Sequence, residues 1–266
     1  MRLTNKNITV LVVLGVVLAL AIVFWPLKIL PHYIPDYKHT ALPDFSTIPA
    51  GSERKEAFSS YLVPLIQAVN AHQLLLRETA QQVATLPELS DYQQQWLAGL
   101  CQLYSIRTPC KPGIPLLQSI DSRINTVPVA LALAQAAKES GWGTSRFARQ
   151  GNNLFGQWCF SKGCGLVPLQ RKPGAKHEVA TFDSPAYSVD AYVRNINANG
   201  AYQLLRQHRQ SLQNQAMPEL VKALILGLGS YSERGQAYVH EVDAMIDNNP
   251  SWLAYPAVVE KHPPTL

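Results

Sequence analysis

A single acidic residue at the end of an apolar segment is the first candidate for a catalytic side chain in this sequence. Residues 129–137 are small or aliphatic apart from Gln135, and Glu139 follows just before Gly141 and Gly143. Those two glycines are expected to end a helix that is buried nearly all round. Near a helix C-terminus and apolar packing, the helix dipole and desolvation both disfavour a charged carboxylate. The pattern therefore predicts a carboxyl group that can donate a proton, with an ordinary solvated glutamate as the alternative.

Aromatic and amide side chains follow this glutamate within reach of the same cleft. Aromatic rings pack on apolar C–H faces and amides hydrogen-bond to hydroxyl groups, so the two kinds of side chain together suit a sugar. The sequence therefore predicts a carbohydrate-binding cleft, whose substrate-binding residues are expected to be Trp142, Asn152, Asn153, Phe155 and Trp158.

Two helices are predicted ahead of this segment, as a supporting helical hairpin over residues 52–110. Ser52 can cap the first helix, which has Pro64 either inside it or at a break. Ser90 and Gln93 form a capping box before the second helix. Nothing in this hairpin carries recognisable chemistry, so we expect it to support the domain that follows.

The predicted catalytic domain spans residues 111–250, and its fold class is mainly α (α+β). Asn125 or Thr126 is expected to cap the helix that carries Glu139. Strand-like runs at residues 166–170 and 177–182 predict a small β-hairpin lobe that forms one wall of the cleft. Further helices are predicted from Ser184 onward, at residues 201–208, 218–228 and 235–246.

The N-terminal segment has the composition of a membrane anchor followed by a spacer. Residues 8–25 carry no charge, and at about 1.5 Å per residue they approach the roughly 30 Å hydrocarbon core of a bilayer. Arg2 and Lys6 precede them and no small-x-small site follows, which favours an uncleaved transmembrane helix within residues 1–28 over a cleaved signal peptide. Prolines in residues 29–51 predict an extended linker, with an irregular coat on the domain as the alternative.

The net charge and the C-terminal residues give little further information about function. The net charge of +5 over 266 residues is modest, and no Lys/Arg block has the density of a nucleic-acid surface, so no nucleic-acid partner is predicted. A basic balance suits anionic cell wall or phospholipid headgroups. Residues 251–266 are predicted to form a C-terminal tail, either an ordered strap or a loose end.

The even number of cysteines predicts disulfides in a compartment outside the cytoplasm. The sequence-local pairing is Cys101 with Cys110 and Cys159 with Cys164. A tetrathiolate zinc site is the alternative, although neither pair has the usual spacing of zinc ligands. We therefore predict no metal and no cofactor.

Two strings around Glu139 resemble the glucosaminidase domain of glycoside hydrolase family 73: QAAKESGWGTSRFA at residues 135–148 and GNNLFGQW at residues 151–158. The resemblance covers residues 125–249. It implies a lysozyme-like fold that hydrolyses the β-1,4 bond after N-acetylglucosamine in peptidoglycan. Glu139 matches the catalytic acid of that family.

The resemblance extends to a tyrosine in the turn before the last helix. Tyr231 with Tyr238 resembles the family's tyrosine pattern, which implies that Tyr231 positions substrate or stabilises charge; a tyrosine that only packs is the alternative. Residues 232–234 depart from the family's sequence there. Together with the predicted anchor, the resemblance implies a single-pass protein of the bacterial inner membrane with a periplasmic catalytic domain.

A second catalytic carboxylate is not evident in the sequence. Retaining and inverting glycosidases commonly use two carboxylates. Glu178 is the first candidate because it lies on the predicted hairpin, while Glu233, Asp183 and Asp190 are weaker. The substrate's own 2-acetamido group is a further alternative.

Two other functions stay open at this point. A lytic transglycosylase also uses one glutamate followed by serine in a lysozyme-like fold, although the string NNLFG at residues 152–156 argues against it. A noncatalytic wall-binding or regulatory module needs only the aromatic cleft.

Overall fold

The structure is a computed structural model that describes residues 30–37, 40–169, 171 and 174–258. It is mainly helical and carries one small sheet, which confirms the predicted class and is consistent with a lysozyme-like fold. The α-helices are α1 (Ser52–Ala84), α2 (Asp91–Leu103), α3 (Ile114–Arg123), α4 (Val129–Ser140), α5 (Arg146–Gly151), α6 (Pro185–Ala198), α7 (Gln203–Ser211), α8 (Met217–Leu226) and α9 (Gln236–Asp247). The strands are β1 (Trp158–Cys159), β2 (Gly165–Leu166) and β3 (Glu178–Ala180).

Helix α4 forms the centre of the main hydrophobic core, as its apolar sequence predicts. Every residue from 129 to 137 is at most 1% exposed, because α1, α8 and α9 pack around the helix. Gly141 ends it in the left-handed conformation at φ 57°, which glycine adopts without strain. The expected side-chain cap is not made: α4 begins after Pro128, and Asn125 instead accepts the backbone N–H of Thr126.

Helix α1 links the main core to a second hydrophobic cluster. Phe58 and Leu62, near its start, belong to the main core, whereas Leu76 and Val83 pack with α2 and α3. Pro64 lies inside the helix rather than at a break. The capping box predicted at the start of α2 is present, and α2 with α3 supports the far half of α1.

The β lobe is a three-stranded antiparallel sheet in the order β1-β3-β2. The predicted hairpin corresponds to the pairing of β2 with β3, but it was incomplete because β1 adds a third strand. A strand of only two residues is too short to show an alternating pattern in sequence. At Gly165 an added Cβ would lie 2.0 Å from the carbonyl oxygen of Val179, so glycine lets the two strands approach.

The described residues before α1 coat the helices. Phe45 is 1% exposed and meets Phe58 edge-on at 5.4 Å between ring centroids. The Tyr37 hydroxyl donates a 3.1 Å hydrogen bond to the buried carboxylate of Asp190. Apolar and hydrogen-bonding side chains among the prolines therefore hold this segment against the domain, and the extended linker expected here was wrong for these residues.

The predicted membrane anchor at residues 8–25 lies outside the described residues. In the part of the chain that the structure covers, no helix combines the length and the apolarity that crossing a bilayer requires.

The start of the predicted tail lies against α1. Trp252 is 4% exposed, and its indole N–H donates to the Ser59 hydroxyl at 3.1 Å. Up to residue 258 this segment is therefore a strap on the main core.

Candidate active site

A cavity of about 840 Å³ separates the β lobe from the turn that precedes α9, and Glu139 lies on its wall. This volume is in the usual range of ligand sites. Helix α4 contributes Glu139 and helix α6 contributes one side. The other described residues that line it are mainly aromatic or polar: Phe155, Gln157, Trp158, Phe160, Phe182, Asn195, Asn199, Tyr202, Tyr231, Ser232, Glu233 and Arg234.

Glu139 has the protonation behaviour that its sequence context predicts. Burial raises the pKa of its carboxyl, and this outweighs the hydrogen bond from Tyr238 and the charge of Lys138, both of which lower that pKa. Gly156, in a left-handed turn at φ 66°, faces the carboxyl closely: an added Cβ would lie 3.5 Å from Glu139 Oε2. The last turn of α4 and this glycine therefore leave a half-buried carboxyl group that stays protonated to higher pH than a free glutamate.

A buried hydrogen-bond chain supports the carboxyl group from beneath. The Tyr192 hydroxyl donates to Gln135 Oε1 at 2.7 Å, and Gln135 Nε2 donates to the Tyr238 hydroxyl at 2.9 Å. Tyr238 in turn hydrogen-bonds to Glu139. Since Gln135, Tyr192 and Tyr238 are each at most 1% exposed, the chain fixes the carboxyl in a low-dielectric setting.

Gln135 and Tyr192 were not among the residues predicted for the site. One sequence signal pointed to Gln135: it is the only polar residue between 129 and 137, and it lies one helical turn before Glu139 on the same face. The sequence does not single out Tyr192 in this way, since a tyrosine in α6 is equally typical of core packing.

Tyr231 lines the same cavity as Glu139. Its ring stacks on Tyr238 at 5.3 Å, and its hydroxyl donates to the Phe155 carbonyl at 3.0 Å. Burial, followed by neighbouring tyrosines and Glu139, raises the pKa of the Tyr231 hydroxyl well above its ordinary value. The side chain is therefore a neutral phenol at the edge of the cavity.

Phe155 and Trp158, both predicted to bind substrate, line the cavity in different ways. Phe155 is 2% exposed and stacks on Tyr192 at 4.1 Å, so it forms the floor. Trp158 is 55% exposed on β1 and stacks on His177 at 4.0 Å. Phe160, 74% exposed, lies two residues further along the same rim. The lobe thus lines the cavity with two exposed aromatic side chains, and His177 covers one face of Trp158.

Trp142, by contrast, does not line the cavity. The left-handed conformations of Gly141 and Trp142 turn the indole into an aromatic cluster, where it meets Phe58 at 5.8 Å and Trp252 at 5.9 Å. Lys55 lies over its ring at 5.4 Å. The expectation that this indole binds sugar is therefore wrong in the structure, where the side chain belongs to the core.

Asn152 and Asn153 shape the wall of the cavity rather than face it. Asn152 ends α5 and donates to the Phe182 carbonyl at 2.8 Å. Asn153, 1% exposed, donates to the carbonyls of Gln157 and Ala180 at 3.0 and 2.8 Å. Both side-chain amide groups donate to backbone carbonyls, and neither residue lines the cavity, so in the structure they connect the end of α5 to the segments around β3.

The structure does not bring Glu178 together with Glu139. Glu178 lies inside the β lobe, where its two carboxylate oxygens accept the backbone N–H groups of Gly163 and Gly165 at 3.1 and 2.9 Å. These bonds hold the pKa of Glu178 below its ordinary value. Among the described residues lining the cavity, the second carboxylate is instead Glu233, one of the weaker candidates.

Both predicted disulfides are present, Cys101 with Cys110 and Cys159 with Cys164. Cys159 and Cys164 also lie near Glu178 in an arrangement that resembles a metal site. Because each sulfur is bonded to the other, neither is available as a thiolate ligand. The second disulfide therefore closes the loop between β1 and β2.

Comparison with known proteins gives two matches. The glucosaminidase family, described as mannosyl-glycoprotein endo-beta-N-acetylglucosaminidase, matches residues 115–251. Protein bax of Escherichia coli (strain K12) is 31% identical over 224 residues, which cover 82% of this chain and 77% of that protein. No solved structure matches the chain. The matched range contains the whole cavity around Glu139, and the chain belongs to the glucosaminidase family, a family of glycoside hydrolases.

Proposed function

We propose that the protein cleaves the β-1,4 bond after N-acetylglucosamine in peptidoglycan, with Glu139 as general acid. One observation carries the proposal: Glu139 lies on the wall of an aromatic-lined cavity with its carboxyl pKa raised by burial. A general acid must be protonated when substrate binds, and a raised pKa keeps it so nearer neutral pH. Membership of the glucosaminidase family supports the same reaction class.

In the proposed step, Glu139 gives its proton to the glycosidic oxygen as the bond from that oxygen to the anomeric carbon breaks. Water adds its hydroxyl to the anomeric carbon, and its other proton passes to a base. Because the Tyr231 hydrogen is committed to the Phe155 carbonyl, the phenol oxygen can turn its lone pairs toward the developing cation. Trp158 and Phe160 offer faces on which sugar rings stack.

The second group in this proposal is Glu233 or the substrate's own 2-acetamido group. Glu233 lines the cavity and is exposed, so water can reach it. Glu178 is held by two backbone N–H groups of the lobe, which suits a structural role better than a base.

Product analysis tests the proposal against both alternatives. Purified peptidoglycan is digested in water enriched in heavy oxygen, and the fragments are analysed by mass spectrometry. Hydrolysis gives reducing N-acetylglucosamine ends that carry the heavy oxygen. A 1,6-anhydro ring on N-acetylmuramic acid would show a transglycosylase, and an uncut glycan would show a binding module.

The matched variant for this test is Glu139→Gln, which keeps the shape and removes the acid. Loss of general acid catalysis typically costs about 10² to 10⁴ in rate. Near wild-type cleavage by this variant would refute the role of Glu139.

We further propose that the protein works outside the cytoplasm, held by an uncleaved helix within residues 8–25. The two disulfides support an oxidising compartment, and peptidoglycan lies there. Sequencing the N-terminus of the protein in envelope fractions, together with protease accessibility from the periplasm, tests both parts. A mature N-terminus beyond Trp25 would contradict the anchor.

A further inference from the structure

A second cavity, of about 860 Å³, adjoins the cavity that holds Glu139. Ala191, Asn195 and Asn199 line both cavities. These residues are spaced by four along and just beyond α6, so they form one stripe on a single face. Their side chains are short, and they make a low border that an extended ligand can cross.

Arginine dominates the second cavity, which we call the arginine cavity. Its described lining includes Arg107, Arg123, Arg194 and Arg206, and none of its described lining residues is acidic. Arg194 is paired with the buried Asp190 at 2.6 Å. Among the described residues no carboxylate forms an ion pair with the other three arginines, so nothing in this part of the chain neutralises their positive charge.

Two of these arginines are held rigidly by backbone carbonyls. Arg206, 3% exposed, donates from Nη1 to the carbonyls of Ile196 and Asn199 at 2.9 and 2.8 Å. Arg123 donates from Nη1 to the carbonyls of Tyr104 and Ala198 at 3.1 and 2.8 Å. Carbonyls satisfy the donors without neutralising the charge.

The uncompensated charge is costly to the free protein. Burial, and then the charge of Arg123, lower the pKa of Arg206 to about 10, which still leaves it cationic at neutral pH. Burying like charges beside each other without a counterion opposes folding. Such an arrangement is typical of a site whose counterion is a ligand.

We propose that the arginine cavity binds carboxylates of the stem peptides on a glycan strand whose sugars occupy the neighbouring cavity. This inference rests on the proposed function. That function specifies the glycan bond that is cleaved, and the inference adds how the stem peptides are recognised. Stem peptides branch from the sugars, so they must leave the cleft sideways, and the border at Asn195 is such an exit. Carboxylates also match the planar donors of guanidinium groups.

Arg107 provides the variant that tests this. It is exposed, and the hydrogen bonds among the described residues do not involve its side chain, so Arg107→Gln and Arg107→Glu should fold normally. Arg149→Gln is the control, because it removes one exposed positive charge outside both cavities, where Arg149 pairs with the exposed Asp44.

Binding is measured by calorimetry, with every protein also carrying Glu139→Gln so that the ligand is not cleaved, using soluble peptidoglycan fragments that carry free stem-peptide carboxylates and the same fragments after those carboxylates are converted to amides. The wild type and Arg149→Gln should bind the free acid about three- to tenfold more tightly than the amide. Arg107→Gln should lose most of that difference, and Arg107→Glu should abolish it. Affinity for the amidated fragment should stay unchanged in Arg107→Gln.

Several results would overturn the inference. Equal wild-type affinity for both fragments would show that the carboxylates are not recognised. An equal effect of amidation on the wild type and both Arg107 variants would place their recognition elsewhere. Competition by a short oligonucleotide as strong as that of the free acid would assign the cavity to phosphates. Binding needs no cleavage, so failure of the proposed function would show separately, as missing reducing ends.

Discussion

Replacing Tyr238 with phenylalanine should change the acidity of Glu139 while leaving the carboxyl group in place. The Tyr238 hydroxyl accepts from Gln135 Nε2 at 2.9 Å and hydrogen-bonds to Glu139, whose pKa this bond lowers. Burial raises the pKa of the Tyr238 hydroxyl far above its ordinary value, so it remains a donor throughout any practical assay. Removing that donor strips the ionised carboxylate of its partner, and the pKa of Glu139 should rise.

The Tyr238→Phe variant should also be less stable, because it leaves Gln135 without its hydrogen-bond acceptor. Gln135 is fully buried, so its Nε2 would lose its acceptor where water cannot replace it. An unsatisfied buried polar group costs about 1–3 kcal/mol. At roughly 2–4 °C per kcal/mol for a chain of this size, the variant's Tm should fall by about 2–12 °C.

The informative assay is the pH dependence of kcat/KM, measured well below the Tm of the variant. The activity of a general acid is lost as pH rises through its pKa, so the alkaline limb reports Glu139 in the free enzyme. For Tyr238→Phe we expect this limb to move to higher pH. Tyr231→Phe is the matched control, since its hydroxyl bonds to Phe155 and its loss should reduce turnover without moving the limb.

An alkaline limb that stays in place or moves down in Tyr238→Phe would refute the assigned hydrogen bond. An identical upward shift in Tyr231→Phe would show that any lost tyrosine hydroxyl has the same effect, and the specific role of Tyr238 would fail.

Three further predictions concern stability and the β lobe. Because the folded-state pKa of Glu139 is raised, the stability of the wild type falls as pH rises through that pKa. In thermal melts, Glu139→Gln should therefore have a higher Tm than the wild type at pH 8, and this difference should disappear near pH 4. Glu178→Ala should speed amide exchange at residues 160–166 and lower cleavage without moving either limb of the pH profile; unchanged exchange with lost activity would instead make Glu178 catalytic. Replacing Cys159 and Cys164 with serine should cost less than about 3 kcal/mol, because the closed loop is short, and unfolding at 25 °C would contradict this.

A site residue could be predicted from the sequence where local structure alone determines the position of its side chain. Glu139 was predictable because an apolar helix followed by glycine places a carboxyl at a buried helix end by local rules alone. Trp142 was not, since two consecutive left-handed residues reverse the direction in which its side chain points. Asn153 was misassigned because an amide can hydrogen-bond to a sugar hydroxyl or to a backbone carbonyl, and the residue type alone does not show which of the two it contacts. The resemblance to the glucosaminidase family implied the fold class, and the helix and hairpin patterns agreed with it. Strand β1 was missed because it is only two residues long.

Charges around Glu139 show how its pKa can stay high beside a lysine. Lys138 is adjacent in sequence, and its positive charge alone would favour an ionised Glu139. Glu241 pairs with Lys138 and also with Arg234, and both cations hold the pKa of Glu241 below its ordinary value. An ionised Glu241 therefore neutralises part of the Lys138 charge, while Lys138 also lies 5.6 Å from the centre of the Tyr238 ring. Burial thus remains the dominant influence on the pKa of Glu139, while Tyr238 and the partly neutralised Lys138 only moderate it, and the result is a carboxyl group whose pKa is raised and whose ionised form is stabilised by a hydrogen bond from Tyr238.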